Sequence, residues 1–198
     1  MDLEKLNRLK QQFDFILEID KEKEIIRQTY LSDASRQETD AEHAWHMAVM
    51  VMLLSEYANE EIDVLKTMKL CLIHDLIEIY AGDTYAYDQK GNADKYEREV
   101  AAADRLFAML PKDQGIMMRE LWEEFECGET PEARFANTMD KIQPLMLNHS
   151  TGGRSWVEHG IHHQQVYGRN QSTAKGSETL WEFAEENFIK PHIGKELQ

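Results

Sequence analysis

The sequence predicts an all-α fold in a single domain, and three observations predict it. At 198 residues the chain can build one sizeable hydrophobic core and has little length for a second. Only 10 glycines and 4 prolines occur, too few for a fold made of many tight turns. Apolar residues recur at steps of three and four along most of the chain, the period of a helix with one face inside. No internal repeat, low-complexity tract or linker composition interrupts it. Residues 1–198 therefore read as one domain, with a core over about 3–150 and a helical extension over 151–198.

The elements follow in order. Leu3, Leu6, Leu9, Phe13 and Ile16 form one stripe of a first amphipathic helix, which Asp20-Lys21-Glu22-Lys23 breaks. Thr29 to Asp40 reads as an irregular connection. A second helix is expected from about Ala41 to Ala58, with Asp40 as its N-cap and with Trp45, Met47, Met50 and Met52 filling the core. A third, from about Val64 to Ala81, is apolar on most sides, which places it centrally, and Gly82 suits its left-handed stop. After an Asp83 to Asn92 loop come helical patterns over about Asp94 to Leu110, Gln114 to Glu126 and Pro131 to His149. The last of these opens on a Thr130-Pro131 cap. Arg154 to Ser177 has no clear period, and a final helix is expected over Ser177 to Phe188.

Twenty-two basic and 37 acidic residues give a net charge of −15, and a mean hydropathy of −0.61 reflects a heavily charged surface. Such a balance excludes polymeric nucleic acid and anionic membrane as partners, because both need a basic footprint. A small phosphorylated ligand stays possible, since a metal and one arginine reverse the field locally. The longest apolar run, Met47 to Leu54, is far short of a membrane span. The start of the chain lacks a signal-peptide layout, and Cys71 and Cys127 form no CxxC pair, so a reduced, cytoplasmic protein is expected.

Chemistry concentrates in the third helix, in Leu70-Cys71-Leu72-Ile73-His74-Asp75-Leu76-Ile77-Glu78. A His-Asp pair in so apolar a run must find partners, either neighbouring side chains or a metal. His43, near the start of the second helix, and Asp140, inside a later one, can complete the shell. Two imidazoles and two carboxylates with open positions favour manganese, cobalt, iron or magnesium over a closed structural zinc. The plain alternative makes His43 and Asp140 cap or surface residues and His74-Asp75 a satisfied core pair. Glu78 shares the helix face of His74 and Asp75, and it sits in the last helical turn, where a carboxylate opposes the macrodipole. Asp83 adds to the same negative cluster. The alternative there is a solvated acidic helix end.

His43…His74-Asp75…Asp140 resembles the signature of the HD-domain metal-dependent phosphohydrolases, whose fold would be a helical bundle with the His-Asp pair on its central helix. The likeness is closer to the YfbR-like 5′-deoxynucleotidase branch. It rests on Arg36-Gln37-Glu38-Thr39-Asp40-Ala41-Glu42-His43, His74 to Glu78, Gly82-Asp83, Leu121 to Glu126 and Thr130 to Lys141, within roughly Leu3 to Asn148. The resemblance implies a metal-dependent enzyme, often a homodimer, that removes phosphate from deoxyribonucleoside 5′-monophosphates. His43, His74, Asp75 and Asp140 would hold the metal, and Glu78 and Asp83 would handle the water and the departing oxygen or sugar. Arg27 falls near the family's phosphate-orienting arginine, and Arg36 could share that work or pair instead with Glu38 or Glu42. Asp83 could equally just cap the turn after Gly82. Some members follow the arginine with tryptophan, where this chain has Gln28-Thr29, so the likeness stops short of the sugar-facing wall.

Weaker signals are set against plainer readings. His46 could approach a second metal, but packing or substrate contact suits it better. His159, His162 and His163 lack the HExxH spacing and read as a loop cluster. GxxxxGK, GxGxxG and GxSxG are absent, which removes kinase, dehydrogenase and esterase readings. Two rivals remain. One is a superfamily phosphohydrolase acting on a triphosphate or signalling nucleotide; the other is a non-catalytic nucleotide sensor.

Overall fold

The computed structural model describes residues 2–88, 91 and 94–198, and the part of the Asp83 to Asn92 loop at 89, 90 and 92 lies outside them. Helix α1 (Leu3–Glu18) does not pack as its stripe predicts. Leu3, Leu6, Phe13 and Ile16 face outward, while Phe15 is the buried residue. A helix buries the face that another element covers, and α1 is covered on the side of Phe15 and Ile19. A 3₁₀ segment (Ile19–Glu24) follows. The expected irregular connection contains a small antiparallel hairpin, β1 (Ile26–Tyr30) with β2 (Gln37–Thr39), pairing Ile26 with Thr39 and Tyr30 with Gln37 around a bulge.

Helix α2 (Asp40–Leu54) is capped by Thr39, not Asp40. The Thr39 hydroxyl accepts from the Glu42 N–H, and the Glu42 carboxylate accepts from the Thr39 N–H, a reciprocal box that satisfies two end donors. Asp40 is thereby the first helical residue and turns fully inward. Of the side chains assigned to core filling, Met47 and Met50 are buried, whereas Trp45 and Met52 are exposed. The helix stops at Leu54, short of Ala58, and a 3₁₀ turn (Ser55–Tyr57) completes it.

The central helix also differs. α3 (Val64–Ile73), capped by Asp63, ends before His74, and a turn leads into the one-turn α4 (Glu78–Ala81). Gly82 follows at φ +77°, a backbone state that glycine adopts without a Cβ penalty. Glu78 therefore opens a helix and does not close one, which removes the unfavourable dipole expected for it.

The later helices are α5 (Lys95–Phe107), α6 (Lys112–Cys127) and α7 (Pro131–Ser150), with Thr130 and Pro131 at the start of α7 as its sequence requires. Pro144 inside α7 has no N–H to give the Asp140 carbonyl four residues back. The stretch without a period folds as α8 (Arg154–His159) and α9 (His163–Arg169). α10 (Glu178–Ala184) is shorter than expected and passes into a π-turn over Glu185–Ile189.

α3 joins two cores. Leu70 and Cys71 pack with Met47, Val51, Phe135, Met139, Trp156 and Ile189, whereas Ile73 and Ile77 pack with Phe15, Leu106, Phe107 and Trp122. His74 and Asp75 lie at the junction, with apolar packing on both flanks. Among the described residues, no helix is long and apolar enough to cross a membrane.

Candidate active site

Three segments deliver the predicted metal ligands to one point. His43 comes from α2, His74 and Asp75 from the turn after α3, and Asp140 from α7. His43 Nε2 lies 3.2 Å from Asp140 Oδ1, and His74 Nε2 lies 2.9 Å from Asp75 Oδ2 and 3.9 Å from Asp140 Oδ1. One ligand atom each from His43, His74 and Asp75 falls within 4.8 Å of the others. The break in the helix has a purpose here: with α3 ended at Ile73, His74 Nδ1 donates to the Cys71 carbonyl at 2.9 Å and turns Nε2 inward.

The two imidazoles differ in charge preference. Burial, aided by the Arg27 guanidinium, pushes His43 down to about 4, so that ring is neutral. Burial acts the same way on His74, but the adjacent Asp75 overrides it and lifts His74 to about 9. Burial would raise both carboxylates. His74 and Arg27 nevertheless hold Asp75 well below the usual range, and His43 with Arg169 does the same for Asp140.

Arg27, in β1, reaches into the site. Its Nη1 donates to Asp75 Oδ2 at 2.7 Å and to Asp40 Oδ1 at 3.0 Å. Glu78 is buried beside Asp40 and Asp75, and ligand atoms of all three lie within 4.8 Å of one another. Burial and the charges of Asp75, Asp40 and Asp83 raise the Glu78 carboxyl well above its ordinary value. Asp40 is pushed up to about 7, first by burial and then by Asp75. Asp83 lines the same pocket and is also raised by burial.

Arg36 is not brought to the site. It is half exposed and pairs with Glu42, donating from Nη1 to Oε2 at 2.8 Å. His46 also stays outside: it stacks on Trp45, and its Nδ1 accepts from Gln143 at 3.3 Å. His159 ends α8 and bonds Gln28 at 3.0 Å, while the His163 N–H and ring meet the Gln198 carbonyl, so these histidines form no joint cluster.

Several pocket residues were missed by sequence reasoning. Asp40 was hidden because an aspartate before a helix reads as a cap. Lys95 and Arg169 bring positive charge from α5 and α9, and Arg169 donates to Asp140 Oδ2 at 3.3 Å. Tyr85, Tyr87 and Trp156 add an aromatic wall. Apart from Asp40, which lies within the Arg36 to His43 stretch, none of these sits in a motif, so no local signal marks them.

Unsatisfied buried atoms test whether a cation fits. His74 Nε2 faces the Asp75 carboxylate at 2.9 Å, and Asp40 Oδ2 and Glu78 Oε2 are buried without a hydrogen-bond partner. Such atoms are costly to leave unpaired. A set of imidazole nitrogens and carboxylate oxygens is what a divalent first-row ion takes, so the residues present fit a metal.

Comparison with known proteins agrees with this chemistry. The family model described as "HD domain" matches residues 19–181. Human 5′-deoxynucleotidase HDDC2 is 29% identical over 114 residues, covering 58% of this chain and 54% of that protein. The Bos taurus protein of the same name is 30% identical over 115 residues, with the same two shares. The aligned part of the chain thus spans about half the length of the curated relatives it matches. The crystal structure of a "predicted metal-dependent phosphohydrolase" from Magnetospirillum magnetotacticum MS-1 superposes with a TM-score of 0.86, at 46% identity over 90% of each chain. A conserved hypothetical protein from Pyrococcus furiosus gives 0.64 at 26% identity, covering 88% of this chain and 97% of that one.

Proposed function

The chain belongs to the HD-domain family, and on that premise we propose that it is a metal-dependent phosphomonoesterase that hydrolyses deoxyribonucleoside 5′-monophosphates to deoxynucleoside and phosphate. One observation carries the reading: His43, His74, Asp75 and Asp140 converge beside Arg27 and Glu78. Residues that matter only for packing would have no reason to collect four unlike charged and polar side chains at the junction of two apolar cores.

A divalent ion held by those four side chains, with manganese, cobalt, iron or magnesium proposed, would polarise a phosphoryl oxygen and acidify a bound water. Arg27 binds the phosphate and offsets charge that builds on its oxygens. Glu78 accepts a proton from the attacking water as its oxygen bonds to phosphorus. The P–O5′ bond breaks, and Asp83 in its protonated form gives its proton to O5′. Burial and the neighbouring carboxylates raise both carboxyls, Glu78 the more strongly. A bound cation would offset the charges of Asp75 and Asp40 that hold a proton on Glu78 and so free it to take one from water, while Asp83 keeps its own. Arg36 is left out of the phosphate contacts because it lies outside the pocket that Arg27 lines.

Small-molecule recognition follows from the pocket walls. Tyr85 and Tyr87 offer stacking surface for a base, and Gln28 and Thr29 form a polar wall for the sugar. A second copy of the chain is the proposed partner, since α1 presents Leu3, Leu6, Phe13, Ile16 and Leu17 uncovered. A cytoplasmic location is proposed from the two unpaired cysteines.

The deciding experiment measures phosphate release from 2′-deoxy and ribonucleoside 5′-monophosphates, 3′-monophosphates, diphosphates and triphosphates, each with manganese, cobalt and magnesium. Deoxyribonucleoside 5′-monophosphates should be cleaved and triphosphates should be poor. Faster turnover of any triphosphate than of every monophosphate points to the other superfamily activity. Tight binding with no release under any metal points to a sensor.

A further inference from the structure

A ligating imidazole must present a lone pair, so something has to hold the proton on its other nitrogen. His74 uses the nearby Cys71 carbonyl for this. His43 has no such local partner, and its Nδ1 meets the Gln143 side-chain oxygen at 3.0 Å. Gln143 lies three residues after Asp140 in α7, so the two share one helix face. One helix thereby grips both nitrogens of the same ring: Asp140 faces Nε2 and Gln143 faces Nδ1.

An amide could point either end at the ring, and Glu38 decides which. Gln143 Nε2 donates to Glu38 Oε2 at 2.8 Å. An ionised carboxylate only accepts, and His46 Nδ1 takes the second amide hydrogen at 3.3 Å, so the amide nitrogen is committed to Glu38 and His46 and the amide oxygen is left for the Nδ1–H of His43. His43 and Gln143 are wholly buried and Glu38 is 2% exposed, so water cannot substitute for any member of this chain. Glu38 Oε1 also lies 3.7 Å from Arg27 Nε, which places the same carboxylate behind the phosphate-facing arginine.

We propose that Glu38 and Gln143 are positioning residues that lock His43 as its Nδ1–H tautomer and so aim its Nε2 lone pair at the metal position. The proposal rests on His43 being a ligand, as read above. It has a consequence that simple packing does not share. Without metal, Asp140 Oδ1 lies 3.2 Å from Nε2 and would by itself attract a proton there. The Glu38–Gln143 relay must hold the ring in the opposite tautomer against that pull.

The test reads the His43 tautomer by two-dimensional ¹H–¹⁵N NMR of the metal-free protein at pH 8, alongside manganese affinity from chelator competition. The parent should show His43 as Nδ1–H. Gln143→Met, similar in length but unable to accept, should move the proton to Nε2 and weaken manganese binding by about 10–100-fold. Glu38→Met should shift both in the same direction by a smaller amount, because only the longer 3.3 Å contact with His46 Nδ1 then orients the amide. Glu38→Gln keeps an acceptor for Gln143 and should restore both the tautomer and the affinity. If Gln143→Met does not fold, the Glu38→Met and Glu38→Gln pair decides alone. A parent ring carrying its proton on Nε2, or on both nitrogens, overturns the proposal, as does a Glu38→Met protein with unchanged tautomer and affinity. If the parent binds no manganese yet shows the tautomer shift, the relay stands and the metal reading above fails.

Discussion

On one side of the pocket, the Nδ1 atoms of His43 and His74 are bonded to neutral oxygens and both rings face inward. Across Asp75, the buried carboxyls of Asp40 and Glu78 crowd around one guanidinium and leave Asp40 Oδ2 and Glu78 Oε2 unpaired. Burial is nearly complete on both sides, so depth cannot explain the difference. A ring Nδ1–H is satisfied by one fixed neutral oxygen, whereas several carboxyls held together need either protons or cations. The histidine side is set geometrically before any ligand arrives. The carboxylate side carries an electrostatic demand, and this demand makes the site respond to metal and pH.

The sharpest way to break this contrast is to remove a ligand from the first side. His74→Ala or Asp140→Ala should take bound metal from about one ion per chain to none, with loss of phosphatase activity. Elemental analysis of protein purified without chelator checks this. Full occupancy in both variants would mean that neither residue is a ligand.

A smaller effect is expected from Glu78→Gln on the second side. Glutamine matches the size of glutamate but cannot take a proton from water, so turnover should fall by ~10²–10⁴ while metal and nucleotide still bind. Isothermal titration with a non-hydrolysed analogue, beside single-turnover rates, separates the two. Loss of metal would assign Glu78 to ligation, and an unaltered rate would move the acid–base work to Asp83.

pH should separate the two sides with opposite signs. His74 at about 9 holds a proton that metal binding must displace, so metal affinity should rise with pH by about tenfold per unit toward pH 9. For the carboxyls the native state holds protons more tightly than the unfolded chain, with Asp40 and Glu22 both near 7. Native protein then binds more protons between about pH 4 and 7, and stability falls as pH rises through that window. The Tm of metal-free protein should drop across it, and Glu78→Gln should flatten the slope. A rising Tm would show that the crowded carboxyls do not govern how the fold responds to pH.

Legibility in the sequence follows the same division. The convergence of His43, His74, Asp75 and Asp140 could be read because a His-Asp pair inside Leu70 to Ile77 is chemically out of place there. Asp40 and Gln143 could not, since an aspartate beside a helix start and a glutamine within one are ordinary. The all-α reading came through because helical periodicity is a local property. The break after Ile73 did not, because apolar residues continue through it and only the tertiary demand to turn His74 inward ends the helix. The α1 stripe was misplaced for a related reason: periodicity identifies an apolar face but not which neighbour covers it. Arg36 takes the plainer of its two readings and pairs with Glu42, whereas Arg27 enters the site because β1 carries it there.

Those two arginines give the smallest expected effect and a control for the whole contrast. Both sit near the hairpin, and both pair with carboxylates. Arg27 is nearly enclosed and bridges Asp40 and Asp75, so each partner would be left buried and unpaired without it. Arg36 is half exposed, and water can solvate Glu42 as well as the guanidinium does. Thr39 also keeps its own bonds to Glu42, so the cap of α2 survives the loss of Arg36. Arg36→Ala should therefore leave Tm, metal content and kcat/KM unchanged within error. A large fall in kcat/KM with Tm unchanged would put Arg36 in contact with the nucleotide. It would also mean that the hairpin closes over the pocket when substrate binds.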